Sequence, residues 1–111
     1  MNYFEEERLL SESESVIMRA VWDSEEDISI PDLIDVLREK YGKEYARTTV
    51  VTFLLKISDK RFVRTYRKGK LSYAHPLVSK EEYRKVLTRN LLKEWYVGDV
   101  QEMMKDARED K

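Results

Sequence analysis

Apolar residues recur every three or four positions in five stretches of this chain and every second position in one, and that change of period predicts its elements. Val16, Ile17, Ala20 and Val21 make the stripe of a first helix. Ser11 caps it, Glu14 three residues on reaches back to complete a capping box, and the helix ends near Trp22-Asp23. Ser24 to Asp27 is polar and loop-like. Ile28 then pairs as a very short strand before Ser29 caps a second helix, with Asp32 at its third position and Pro31 early enough to be tolerated. Leu33, Ile34, Val36 and Leu37 form its inner side, and Tyr41-Gly42 stops it.

A third helix is predicted from Ala46 to Lys60, with Ala46, Val50, Phe53, Leu54 and Ile57 on one buried face. At roughly 100° per residue, Thr48, Thr52 and Leu55 then point outward, with Thr49, Val51 and Lys56 beside them and Arg47 at the entry. After Arg61 the period becomes two, through Phe62-Val63-Arg64-Thr65-Tyr66-Arg67 and Lys70-Leu71-Ser72-Tyr73-Ala74-His75. That is a hairpin with Lys68-Gly69 as its tight turn and Arg67, Lys68 and Lys70 at its tip. Three helices followed by a basic hairpin make a winged helix, the second and third helices forming its helix-turn-helix.

Pro76 breaks the last strand, and Ser79 with Glu82 makes a third capping box that opens a long fourth helix. Its stripe is broad: Tyr83, Val86, Leu87, Leu91, Leu92, Trp95 and Tyr96. Gly98 ends it, and Asp99 with Glu102 caps a short last helix bearing Val100, Met103, Met104 and Ala107 before the charged tail Arg108 to Lys111. Large side chains beyond an already complete small domain need burial, and a second subunit is the natural place for them. Met103 and Met104 are expected to fill gaps in that interface rather than to bind metal. The expected fold is therefore mainly α with a small β-hairpin. An N-terminal arm and winged helix-turn-helix domain occupies residues 1–78, and C-terminal dimerisation helices occupy residues 79–111.

Charge sharpens this picture because it is sorted along the chain. The whole chain carries −1, yet Arg38 to Lys70 holds eleven Lys or Arg against three acids, a local +8 that leaves −9 for the remainder. A cationic middle between acidic ends concentrates attraction for a polyanion on one part of the surface. The threonines of the third helix can donate to and accept from base edges, while Val51 and Leu55 can meet thymine methyls; the hairpin tip suits phosphate or minor-groove contact.

Other chemistry finds little footing. With no cysteine, disulfides, thiolate metal sites and a cysteine nucleophile are excluded. The single histidine, His75 beside Pro76, reads as a packed or surface residue, so neither metal nor cofactor is expected. The acids of Glu5-Glu6-Glu7 and Glu25-Glu26-Asp27 read as solvated charge runs without a partner base, phosphate loop or nucleophile elbow, which argues against an enzyme. No apolar run approaches the roughly 20 residues that span a bilayer, and Met1 to Glu7 is acidic where a signal peptide is basic, so a cytoplasmic protein without membrane insertion is expected.

Leu10-Ser11 with Glu14, Val16-Ile17-Met18 and Val21-Trp22-Asp23 resembles the opening of the penicillinase-repressor (BlaI/MecI/CopY) family. Tyr45-Ala46-Arg47-Thr48-Thr49-Val50 with Thr52, Leu54 and Leu55 is similar to its recognition helix, and Tyr73 before Pro76-Leu77 to the exit of its wing. The resemblance spans about Leu10 to Asp99. It implies a homodimeric winged-helix repressor that binds a palindromic operator in double-stranded DNA and blocks transcription. It nominates Arg47, Thr48, Thr49, Val51, Thr52 and Lys56 for the major groove, and Leu87, Leu91, Leu92, Trp95, Tyr96 and Val100 for dimerisation. Some members are inactivated when a membrane sensor-protease triggers cleavage in the fourth helix, and Asn90-Leu91 occupies a comparable place. The chain also departs from the family. It lacks the cysteine-rich tail of the copper-responsive members, carries Val51 where several β-lactamase repressors have Arg, and has Arg61 where many members have Gly.

Two further readings stay open from sequence. One is a winged-helix protein-interaction module, which leaves the +8 stretch as coincidence; the other is a PadR-like regulator with a ligand between its lobes.

Overall fold

The structure, a computed structural model, describes residues 9–109; the acidic start Met1 to Glu7 and the last two residues of the charged tail lie outside the described residues. The elements run α1 (Glu12–Asp23), β1 (Ile28–Ser29), α2 (Ile30–Tyr41), α3 (Arg47–Asp59), β2 (Val63–Lys68), β3 (Leu71–Pro76), α4 (Lys80–Tyr96) and α5 (Val100–Arg108). The chain forms two compact units, one of them Leu10–Lys80 and the other holding the segment from Glu81 onward.

The first unit is a winged helix-turn-helix. Its three strands form one antiparallel sheet in the order β1-β3-β2, β1 pairing Ile28 with Ala74 and Ser29 with Tyr73. Val16, Ile17, Met18, Val21, Leu33, Leu37, Val50, Leu54, Ile57, Phe62 and Val63 close the core between the helices and the sheet. The α1 capping box is present in both directions, Glu14 N–H donating to Ser11 Oγ and Ser11 N–H to Glu14 Oε1. Ser29 Oγ accepts from Asp32 N–H at the start of α2. Trp22 Nε1 donates to the Val78 carbonyl at 2.8 Å and ties the end of α1 to the segment that leaves the sheet.

Two local expectations shift. The hairpin loop is Gly69-Lys70 rather than Lys68-Gly69, because Lys68 still pairs with Leu71. Gly69, at φ 66°, supplies a positive φ at the first of two loop residues, as a type II′ turn needs. Ala46 is exposed and stands outside α3 as its N-cap with an extended backbone, so it does not join the buried stripe.

The end of α3 explains the departure at position 61. Arg61 N–H donates to the Ser58 carbonyl and Phe62 N–H to the Ile57 carbonyl, with Phe62 and Ile57 both buried, which is a Schellman stop. Its left-handed residue is usually glycine, and here Arg61 takes φ 68° with its side chain exposed. An Arg61→Gly variant is expected to raise unfolding stability by about 1 kcal/mol, the usual cost of a left-handed non-glycine residue, in a urea or thermal melt. An unchanged or lower midpoint refutes that account.

The second unit is described by itself. Asp99 Oδ1 accepts from Glu102 N–H and caps α5. Tyr96 donates its hydroxyl to Asp106 at 2.8 Å, which pins α5 back onto the end of α4.

Candidate nucleic-acid interface

Residues 42–46 join α2 to α3, and the buried Val50, Leu54 and Ile57 fix the rotation of α3 about its axis. That rotation dictates what faces water. Arg47, Thr48, Val51, Thr52 and Lys56 are exposed, as is Leu55 at 61%, while Thr49 is half-buried. Phe53 is half-buried too: its ring sits 5.9 Å from that of Tyr45 and carries the Lys56 ammonium 5.9 Å from its centroid. Side chains of Ser11, Ser29 and Asp99 occupy N–H groups at the starts of α1, α2 and α5, whereas Ala46 offers α3 no side-chain cap. The first-turn donors of α3, beside Arg47, Thr48 and Thr49, are thus not taken by a capping side chain.

Strand alternation gives the hairpin two faces. Register pairs Arg64 with His75 and Tyr66 with Tyr73 on one face, and Thr65 with Ala74 and Arg67 with Ser72 on the other. The second face turns toward α3. Thr65 and Ser72 join Ile30, Arg47, Val51, Leu54 and Leu55 around a cavity of about 100 Å³. Outer α3 and the hairpin therefore form one continuous surface, with Lys68 and Lys70 exposed at its end.

The +8 stretch also divides in space. Lys60 is 2.7 Å from Glu14, Lys40 is 2.9 Å from Asp23, and Arg38 contacts Asp35 and Glu39. Those three cations are neutralised locally. The other eight, Lys43, Arg47, Lys56, Arg61, Arg64, Arg67, Lys68 and Lys70, carry no ion pair among the described residues and follow the turn before α3, α3 itself and the hairpin.

The acid runs are not uniformly solvated, contrary to the sequence reading. Asp27 is half-buried: its carboxylate accepts from the Tyr66 hydroxyl at 2.6 Å and lies 2.7 Å from His75 Nδ1. Asp23 holds Lys40 and the Tyr41 hydroxyl. Burial, with the Asp23 carboxylate beside it, pushes the Tyr41 hydroxyl up to about 12, so it stays a neutral donor. No local signal marks these acids, because their partners arrive from 17 to 48 residues away.

In the second unit Leu87, Leu91, Trp95, Val100 and Met104 are exposed, Trp95 at 77%. Leu92, Tyr96 and Met103 are half-buried. Tyr83 and Val86, which the sequence places on the same broad stripe, are already buried within the chain. The apolar surface left over is therefore narrower than predicted. Among the described residues no three His, Asp or Glu side chains cluster as metal ligands, and no helix is long and apolar enough to cross a membrane.

None of the curated proteins compared matches the chain in sequence. A family model described as penicillinase repressor matches residues 10–111.

Proposed function

The chain belongs to the penicillinase repressor family of DNA-binding transcriptional repressors, and from that premise we propose a sequence-specific repressor that binds a palindromic operator as a homodimer. One observation carries this reading furthest: Arg47 and Lys56 flank the exposed threonine face of α3, Arg67, Lys68 and Lys70 stand exposed on the hairpin that follows it, and none of the five has an ion pair among the described residues. In the proposed complex α3 enters the major groove. Thr48, Thr49 and Thr52 hydrogen-bond base edges, Val51 and Leu55 meet thymine methyls, and Arg47 and Lys56 neutralise flanking phosphates. Arg67, Lys68 and Lys70 on the wing grip the backbone or minor groove beside it. Two subunits joined through α4 and α5, by way of Leu87, Leu91, Leu92, Trp95, Tyr96, Val100, Met103 and Met104, place two recognition helices roughly 34 Å apart, one DNA turn. An occupied operator then blocks transcription, in the cytoplasm where the DNA lies. Residues 1–78 carry the DNA-binding arm of this scheme and residues 79–111 the dimerisation arm. A protein-interaction module would leave the sorted cations without a purpose, and family membership disfavours a PadR-like regulator.

Derepression by a membrane sensor-protease belongs to the same proposal. Asn90 is half-buried and Leu91 exposed in the middle of α4, so cutting that peptide bond requires the helical turn to open first. Intact chain mass in induced cells removes this step.

The test is selection from a random double-stranded DNA pool, followed by a salt titration of the winner. An enriched inverted repeat is expected, with log affinity falling against log salt at a slope of about −6 if each subunit neutralises three or four phosphates. Lys68→Glu with Lys70→Glu is expected to weaken binding while the protein stays folded. No enrichment and a slope near zero overturn the proposal.

A further inference from the structure

We infer that Asp27 is a positioning residue for the wing, a single carboxylate outside the hairpin that holds both of its strands at the base. This rests on the reading of the hairpin as a DNA contact. Asp27 directly precedes β1, whose ladder pairs Ile28 with Ala74, so the carboxylate continues that ladder opposite His75. Its two oxygens are used separately. Oδ2 accepts from the Tyr66 hydroxyl on β2 at 2.6 Å, and Oδ1 meets Nδ1 of His75 on β3 at 2.7 Å.

The face of the hairpin so held carries its own aromatic contacts. Tyr66 and Tyr73 stack with ring centroids 5.7 Å apart and planes 16° apart, and the Arg64 guanidinium lies 5.2 Å from the Tyr66 ring centroid. The hydrogen bond from Tyr66, then that from His75, holds the Asp27 carboxyl below its ordinary value, so it is ionised throughout the neutral range.

Sheet topology explains why such a clamp matters. Among the described residues β1 pairs with β3 alone, through two residue pairs, and β2 is an outer strand with β3 as its one sheet neighbour. An isolated two-stranded hairpin is marginally stable in water. β2 is already anchored near its start by the buried Val63, and the Tyr66–Asp27 bond adds a tie nearer the tip that is independent of β3. A tilt allowed at Tyr66 is carried to Lys68 and Lys70, on the order of 10 Å further along the strands. Releasing the clamp should therefore misplace the tip cations without touching them.

The experiment measures binding of the full chain to its selected duplex by fluorescence anisotropy, with melting midpoints recorded in parallel. Four proteins form a cycle: the parent, Asp27→Ala, the wing variant R67A/K68A/K70A, and their combination. Asp27→Ala is expected to weaken binding roughly fivefold to tenfold in the parent, the scale of one ordinary hydrogen bond. In the wing variant it should change binding by less than about twofold, because the groups it positions are gone. Tyr66→Phe removes only the hydroxyl and is expected to give a smaller loss that also vanishes in the wing variant. Asp27→Asn, which keeps an acceptor oxygen, should recover part of the affinity. A loss of equal size in both backgrounds means that Asp27 acts through general stability and overturns the inference, as does parental affinity in Asp27→Ala. If Asp27→Ala does not fold, parental affinity in Tyr66→Phe overturns it. If the wing variant binds as tightly as the parent, the reading of the hairpin as a DNA contact fails instead, whatever Asp27→Ala does.

Discussion

A chain carrying Leu91→Glu and Trp95→Glu is expected to sediment with the mass of one subunit and to bind its operator about 10²- to 10⁴-fold more weakly, the advantage that linking two half-site contacts confers. Leu87, Leu91 and Trp95 follow one another at four-residue spacing and so share one face of α4. All three are exposed in the single chain, as are Val100 and Met104, also four apart, on α5. Leaving this apolar row in water is unfavourable, and a twofold axis lets each copy cover the other's with the same residues. Two glutamates per subunit put four like charges into the seam, where desolvation and repulsion act together. Both substituted positions are exposed on α4, Trp95 the more so, and glutamate is a good helix former, so the far-ultraviolet helix signal should be retained. A variant that remains dimeric places the interface elsewhere. One that becomes monomeric with undiminished operator affinity leaves dimerisation without a part in DNA binding.

Much of this architecture is legible in sequence because its determinants are local. Ser11 with Glu14, Ser29 with Asp32 and the Gly42 stop lie within a few residues of the helix ends they specify. The outer face of α3 follows from the period of Val50, Leu54 and Ile57 alone. What stays hidden depends on pairs distant in sequence. Lys60 looks like any other cation of the basic stretch, yet it spends its charge on Glu14, 46 residues earlier. Asp27 closes an acidic triplet and is indistinguishable from Glu25 and Glu26 until the fold brings Tyr66 and His75 to it across 39 and 48 residues. Net charge along the chain counts all such groups equally, whereas the field at the surface comes from those left unpaired. Likewise the broad stripe of α4 gives no sign that Tyr83 and Val86 are buried within the chain while Leu87 and Leu91 are not. Amphipathic period identifies an apolar face and says nothing of which partner covers each part of it.

Glu14→Gln is expected to be among the costliest single polar substitutions in the winged-helix unit, because Glu14 serves two ends of the fold at once. It is only 5% exposed, and its Oε1 accepts both the Ser11 N–H at 2.9 Å and the Lys60 ammonium at 2.7 Å. Lys60 is the C-cap of α3, so the pair fastens the end of the proposed recognition helix to the start of α1. Burial by itself would raise the Glu14 pKa, but the Lys60 ammonium and the Ser11 N–H more than offset it, leaving the carboxyl below its ordinary 4.5. A depressed carboxylate pKa means that the unfolded chain binds the proton more readily. Stability from this group is therefore complete above pH 4.5 and is lost as pH falls through the lower folded value. At neutral pH Glu14→Gln should cost about 2 to 3 kcal/mol, less than the ~3–5 of a fully buried pair because Lys60 keeps some access to water. The loss should shrink in the acid range below pH 4.5, where the parent also begins to surrender the interaction. Pairing the change with Lys60→Met removes the ammonium that Glu14 had faced, so the double variant should recover part of the loss, and the interaction energy follows from the four-protein cycle. A loss that does not vary with pH, or a double variant whose costs simply add, would mean that Glu14 acts through the α1 cap alone and that Lys60 does not need it.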